Sequence, residues 1–215
     1  MAKKIISVIG QGFVGGALTQ VMSRYYEAWV YDKVGKVAPG GTEVRISTPG
    51  RASHRLVDSV SELTQVCEGN DRFTGVFFVC LPTPMKKTGE CDVSIVEGVL
   101  DELASVPPFT ERREHAKEEH RTVPTRIAVV KSTVPPGTCE RWNVKYASTP
   151  LRVVFNPEFL TEANALRDFE HQDRIIVGGP RPYTDTVKQV YEVAFMGVPI
   201  IKTSSTIAEM VKYMT

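Results

Sequence analysis

Two hundred and fifteen residues, 42% hydrophobic and 24% charged, make a globular chain able to bury a sizeable core. That excludes disorder as the main state and leaves room for one large domain plus a small appendage. Lys plus Arg number 26 against 25 Asp plus Glu, a formal net charge of +1, so neither nucleic acid nor an anionic membrane is an expected partner. The longest apolar runs, Ile5–Ile9 and Val76–Leu81, fall far short of the ~20 residues of a membrane span. No hydrophobic signal core follows the Met-Ala-Lys-Lys start, and a cytoplasmic location is expected.

The first predicted strand, Ile5–Ile9, runs directly into Gly10-Gln11-Gly12-Phe13-Val14-Gly15, so a G-x-G-x-x-G stands at a strand exit and at the entry of a helix expected from Phe13. There Gly10 suits a tight turn, Gly12 suits close approach of a pyrophosphate, and Gly15 suits close packing of helix on strand. The free N–H groups of the helix start would receive the phosphates. The next strand, Ala28–Tyr31, is followed by Asp32, near the ~20-residue offset from Gly10 expected of the acid that accepts ribose hydroxyls. A carboxylate there repels the additional phosphate of NADP, so NAD is the expected cofactor, with Lys33 next door softening the discrimination. By itself the motif leaves three alternatives: a purely structural turn, a flavin, or a non-nucleotide ligand.

Past this point the rhythm breaks, because Lys33–Arg55 is rich in Gly, Pro, Ser and Thr without a sustained period and is expected to be irregular. A helix is expected after Ser59, a strand over Val76–Cys80, and a helix N-capped by Asp92, with Val93, Val96, Val99, Leu100 and Leu103 at helical spacing. Pro107–Pro124 encloses a mixed-sign run and reads as a solvated excursion; its His115 and His120 fall on different faces of a helix, which argues against a metal site. Then come a strand at Ile127–Val130, a helix after Gly137, a strand at Val153–Phe155, and a helix after Glu158 that would carry Glu158 and Glu162 on one face. A strand at Ile175–Val177, a helix after Tyr183, a strand at Pro199–Ile201 and a last helix opened by the capping box Thr206-Ile207-Ala208-Glu209 complete the order. The alternation predicts an α/β fold: Rossmann-like and doubly wound, a mostly parallel sheet with helices on both faces. Cys67, Cys80, Cys91 and Cys139 form no CxxC pair and read as reduced thiols. Cys67, with Asp71 nearby but no His or Lys to make a thiolate, is expected to end a helix in a polar turn.

Four further segments fall into one pattern with the glycine loop: Phe78-Val79-Cys80-Leu81-Pro82-Thr83-Pro84, Lys131-Ser132-Thr133-Val134-Pro135-Pro136-Gly137-Thr138, Phe155-Asn156-Pro157-Glu158-Phe159-Leu160-Thr161-Glu162, and Ser204-Ser205-Thr206-Ile207-Ala208-Glu209-Met210-Val211-Lys212. In this order they make the chain resemble the N-terminal half of the UDP-glucose/GDP-mannose dehydrogenase family. The resemblance implies oxidation of a nucleotide-sugar's primary alcohol to a carboxylate by two hydride transfers to NAD. It implies that Leu81, Pro82, Thr83, Ser132 and Thr133 join residues 10–15, Asp32 and Lys33 around the cofactor, and that Thr133 holds a water. Glu158 would serve as acid-base group, and Lys212 would stabilise an oxyanion. Phe159, Leu160 and Glu162, with Glu158 and Lys212, would bind the sugar nucleotide. For Thr83 and Thr133 the alternative is a strand-ending turn, for Glu158 a helix-start carboxylate, and for Lys212 a surface lysine. Ala163 stands where the family usually has glycine, and Lys33–Arg55 lacks the family's Pro-rich acidic pattern; both bear on which sugar is bound.

The family's catalytic cysteine, in a Gly-Gly-x-Cys segment downstream of the lysine helix, has no counterpart among the four cysteines here. The expected organisation is an NAD-binding domain over residues 1–203 and the start of a central helix over 204–215. The chain reads as cut, with the C-terminal sugar-nucleotide domain missing and a homodimer implied for the complete form. Binding of NAD without turnover is therefore expected. The rivals are a catalytically inactive NAD-binding module and a cysteine-independent hydroxyacid or phosphogluconate-type dehydrogenase.

Overall fold

A computed structural model describes residues 2–34, 54–108 and 125–214. The expectations for most of Lys33–Arg55 and for the charged run with His115 and His120 lie outside those residues. Eight strands, β1 (Ile5–Ile9), β2 (Glu27–Tyr31), β3 (His54–Leu56), β4 (Phe73–Val79), β5 (Arg126–Val130), β6 (Leu151–Phe155), β7 (Ile175–Gly178) and β8 (Ile200–Thr203), form one sheet in the order β3-β2-β1-β4-β5-β6-β7-β8. All pairs are parallel except β6 with β7, which meet antiparallel at Phe155 and Gly178. β3, too short to show an alternation, is the one strand that the sequence pattern did not reveal.

Helices cover both faces, which is why the inner strands read as nearly continuous apolar runs: all five residues of β1 are buried, Ser7 included. Ile5 and Ile9 pack on one side with α2 (Val60–Glu68), α3 (Ser94–Ser105), α4 (Thr138–Lys145) and Ala208 of α7 (Ser205–Met214). Ile6 and Val8 pack on the other with α1 (Phe13–Met22), α5 (Ala165–Glu170) and α6 (Tyr183–Ala194). The chain winds from β1 outward to β3 and then returns to β4 on the other side of β1. The carboxyl ends of β1 and β4 thus flank the reversal point where open α/β sheets bind ligands.

At the opposite end of the strands a fully buried ion pair joins three elements. The Arg126 guanidinium donates to both carboxylate oxygens of Glu68, at 2.5 and 3.0 Å, and to the carbonyls of Leu103 and Val106, each at 2.6 Å.

Four local expectations are corrected. Asp92 lies one residue outside the N-cap position of α3, which Val93 occupies, and its carboxylate accepts from the Ser94 N–H at 3.0 Å. Cys67 does stand at the end of α2, as its next-to-last residue, but it is fully buried rather than in a polar turn, with its Sγ 3.5 Å from Ser7 Oγ, and burial pushes its thiol up to about 12. No helix carries Glu158 and Glu162 together: residue 156, preceding a proline, is biased to extended backbone, and the Glu158 carboxylate folds onto the Leu160 N–H at 2.8 Å. Helical structure resumes only with a 3-10 turn at Glu162–Asn164 and then α5. The capping box at Thr206–Glu209 does not form either. Ser204 Oγ accepts the Ile207 N–H at 3.3 Å, and Glu209 is fully buried and engaged elsewhere.

Candidate active site at the carboxyl edge of the sheet

The glycine loop is held from below. Gly10 has φ +91, and a Cβ on it would lie 2.3 Å from the Cys80 carbonyl oxygen; a Cβ on Gly15 would lie 1.9 Å from the Gly10 carbonyl oxygen. Both positions demand glycine, the first for its left-handed backbone and the second for contact. Gly12 differs, since a Cβ there would meet nothing within 4 Å. It is the N-cap of α1, where no side chain caps the helix start and no acidic residue stands in the first turn, so the first N–H groups have no side-chain cap. This arrangement fits a dinucleotide's phosphates.

Gln11 turns inward, its amide donating to the Gly10 carbonyl at 3.1 Å and to Thr19 Oγ1 at 2.9 Å. Its side chain thus braces the loop. Asp32 sits at the end of β2, with Oδ2 accepting the Gln11 N–H at 2.8 Å and Oδ1 the Val34 N–H at 2.9 Å. The acid is therefore locked to the loop it serves. Val14 follows in the first turn of α1, and Lys33 is exposed beside Asp32.

The exits of β4 and β5 are stitched together. Leu81 N–H donates to Ser132 Oγ at 3.0 Å, and Thr83 Oγ1 donates to the Thr133 carbonyl at 2.7 Å. Pro82 between them is exposed. Thr83 and Thr133 line a cavity of about 500 Å³ with Cys91, Pro135 and Tyr213.

From the next strand exit Glu158 meets Lys212 of α7. The ammonium donates to Glu158 Oε1 and to the Glu158 carbonyl, each at 2.8 Å, with both side chains mostly buried. Phe159 is half-buried, its ring 6.0 Å from Lys212 Nζ, and Leu160 packs toward the α1–α5 layer. Glu162 stands apart from this pair. It is exposed and lines a different cavity of about 370 Å³, shared with Phe13, Gln20 and Glu170.

Three residues to which the sequence reading gave no role at this edge support it. Glu209, one helical turn before Lys212, accepts the Gly137 N–H at 2.5 Å and the Cys139 N–H at 2.8 Å, so α7 caps the helix that follows the Thr133 turn. Lys131, only 3% exposed, donates to Asn156 Oδ1 at 2.9 Å and lies 5.8 Å from the Phe169 ring. Asn156 is held from three sides: Tyr191 OH donates to the same Oδ1 at 2.5 Å, and Nδ2 donates to the Ile176 carbonyl at 2.7 Å. The one available signal was a lysine directly after the apolar run Ile127–Val130. Burial pushes Lys131 down to about 8 and the Cys80 thiol beside it up to about 12. Burial and the Glu209 carboxylate push the Cys139 thiol well above its ordinary value.

Among the described residues no helix is long and apolar enough to cross a membrane, and no group of three or more His, Cys, Asp and Glu side chains could hold a metal ion.

Residues 4–195 match the profile of the UDP-glucose/GDP-mannose dehydrogenase family, NAD binding domain. GDP-mannose 6-dehydrogenase of Pseudomonas aeruginosa is 29% identical over 97% of this chain and 48% of its own length. UDP-glucose 6-dehydrogenase of Rickettsia bellii is 31% identical over 65% of this chain and 30% of its own. The structure of a UDP-glucose dehydrogenase from Pyrobaculum islandicum superimposes with a TM-score of 0.72 at 26% identity, covering 99% of this chain and 49% of that one. The chain thus spans about half the length of the first of these relatives.

Proposed function

Because the chain belongs to the UDP-glucose/GDP-mannose dehydrogenase family and carries its NAD-binding domain, we propose that it is the cofactor-holding portion of an NAD-dependent nucleotide-sugar dehydrogenase. UDP-glucose is the first candidate substrate, with GDP-mannose or a UDP-N-acetylhexosamine behind it. In this reading residues 1–203 form the NAD-binding unit and 204–215 begin a central helix.

The observation that carries the proposal is the Lys212–Glu158 pair, brought from 54 residues apart to the edge that also bears the glycine loop. Bound NAD would accept a hydride from the sugar alcohol carbon. The N–H groups after Gly12 would receive the pyrophosphate, Asp32 the ribose hydroxyls, and Thr83 would turn its remaining oxygen lone pairs toward the cofactor. Lys212 would stabilise negative charge developing on the substrate oxygen, a contribution of several kcal/mol in a water-poor site. Glu158, held on Lys212 and the Leu160 N–H, would take the proton that hydride removal leaves behind. The Thr133 hydroxyl would hold a water for the step to the acid.

That second step calls for a thiolate, and none of the four thiols here suits it. Cys67, Cys80 and Cys139 are raised by burial, and Cys91 Sγ donates weakly to the Thr133 carbonyl at 3.6 Å. We therefore assign the nucleophile, the remainder of the sugar site and a homodimer contact to parts outside these 215 residues.

Calorimetric titration with NAD and NADP, followed by assay of NADH formation with UDP-glucose and GDP-mannose, tests both statements. Saturable NAD binding, tighter than NADP, and no sustained NADH production are expected. Absence of NAD binding refutes the first, and sustained turnover refutes the assignment of the thiol elsewhere.

A further inference from the structure

Lys131 is a buried cation that the roles assigned so far leave unused. It follows β5 at the carboxyl edge, where its N–H donates to the Val79 carbonyl at 2.9 Å. Its ammonium is locked on Asn156 through Oδ1 at 2.9 Å and the main-chain carbonyl at 3.5 Å. It thereby anchors the turn that delivers Glu158 two residues later. It also stands against Cys80, whose carbonyl oxygen would lie 2.3 Å from a Cβ on Gly10 and whose own Cβ would lie 3.1 Å from one on Gly15. One positive charge therefore lies behind both the glycine loop and the Glu158–Lys212 pair.

The charged and titratable groups facing it come from every surrounding element: Cys80 after β4, Glu158 after β6, Tyr191 on α6 and Lys212 on α7. The cavity of about 330 Å³ that Lys131 lines adds Arg167, Asp168, His171, Asp173 and Arg174. Within the innermost set two ammonium groups face one carboxylate, an excess of positive charge. Reduction of NAD to NADH adds one negative charge to the bound cofactor, and a nearby buried cation favours the more anionic form.

We propose that Lys131 is a positioning residue for the Asn156-Pro157-Glu158 turn whose buried ammonium also biases the site toward the reduced cofactor. This rests on the reading that the chain holds NAD. Since burial brings the Lys131 proton loss down to about 8, the bias is present at neutral pH and disappears in mild alkali.

The test titrates NAD and NADH separately into the 215-residue chain from about pH 6.5 to about pH 9.5, a span that brackets the Lys131 midpoint. In the unaltered protein the ratio of the NAD to the NADH dissociation constant is expected to fall roughly three- to tenfold as the pH rises through the midpoint. Lys131→Arg, which keeps its charge, should hold the ratio high throughout, and Lys131→Met should hold it low. A merely structural lysine would shift both constants together and leave their ratio independent of pH. A pH-independent ratio in the unaltered protein, or a Lys131→Met variant that retains the pH dependence, overturns the proposal. If Lys131→Met does not fold, the unaltered protein and Lys131→Arg still decide. Failure of either cofactor to bind at any pH instead refutes the NAD reading, and this inference with it.

Discussion

Replacing Glu209 with glutamine probes the contact between the helix of Lys212 and the turn after Thr133. The carboxylate is fully buried and accepts two main-chain N–H groups at the start of α4, at 2.5 and 2.8 Å. Hydrogen bonds to a charged acceptor contribute about 1.5–3 kcal/mol each, and a negative charge at a helix start adds about 0.3–1 kcal/mol. Glutamine keeps one acceptor oxygen but turns an NH2 group onto the second N–H, so one bond, the charge and part of the other bond are lost. The expected destabilisation is about 2–4 kcal/mol. Urea unfolding with a common slope would read it as a lower midpoint, and amide exchange at Gly137 and Cys139 would accelerate with it. Glu140→Gln is the control: Glu140 is also acidic in the first turn of α4 but exposed, and its loss should cost under about 0.5 kcal/mol. A loss below about 1 kcal/mol for Glu209→Gln, or equal losses for the two variants, would refute the claim that α7 caps α4.

Gly10→Ala and Gly12→Ala should separate fold from ligand. The first meets a carbonyl at 2.3 Å with φ +91 and should lower the urea midpoint and NAD affinity together, whereas the second should leave the midpoint unchanged and weaken NAD alone. Asp32→Asn should narrow the preference for NAD over NADP by about tenfold, read as the ratio of the two dissociation constants. Glu68→Ala, which strands the buried Arg126 guanidinium, should cost about 3–5 kcal/mol in the same unfolding assay. Lys131 contributes a stability profile of its own. With a folded value of about 8 and an unfolded value near 10.4, the unfolded chain binds more protons between those limits, so stability should rise across that window by about 3 kcal/mol relative to Lys131→Met. A parallel pH course for the two proteins would exclude it.

What could be read before the structure was whatever the chain writes in contiguous residues. The glycine loop, the strand before it and Asp32 lie within one β-α-β stretch, and each signal reinforces the next. Glu158 and Lys212 were recognisable only through family likeness, because nothing local says that residues so distant meet at 2.8 Å. Glu209 shows the converse. Thr206-Ile207-Ala208-Glu209 satisfies the local rule for a capping box, yet the carboxylate serves the start of another helix, where two unpaired N–H groups and a buried setting hold it more strongly. The helix expected after Glu158 failed for a similar reason: a carboxylate spacing that suits a helix face was outweighed by Pro157 and by the bond from Leu160 to Glu158. Lys131 left little trace, since a lysine closing an apolar strand reads as a solvated end until the packing of Asn156, Phe169 and Tyr191 over it is known.

The reversed direction of β7 changes where chain is spent. A parallel neighbour for β6 would oblige the connection to travel back across a sheet face and re-enter from the far end of the strands. Because β7 runs antiparallel, the connection from Asn156 to Arg174 leaves and re-enters at the same end. The first stretch of the arc, with Glu158 and Phe159, stays at the ligand edge as a rim, while the short α5 that follows packs down onto the α1 side of the sheet. Substitutions or insertions in that rim can reshape what the edge accepts without stretching a crossover or disturbing the order of the strands beneath it.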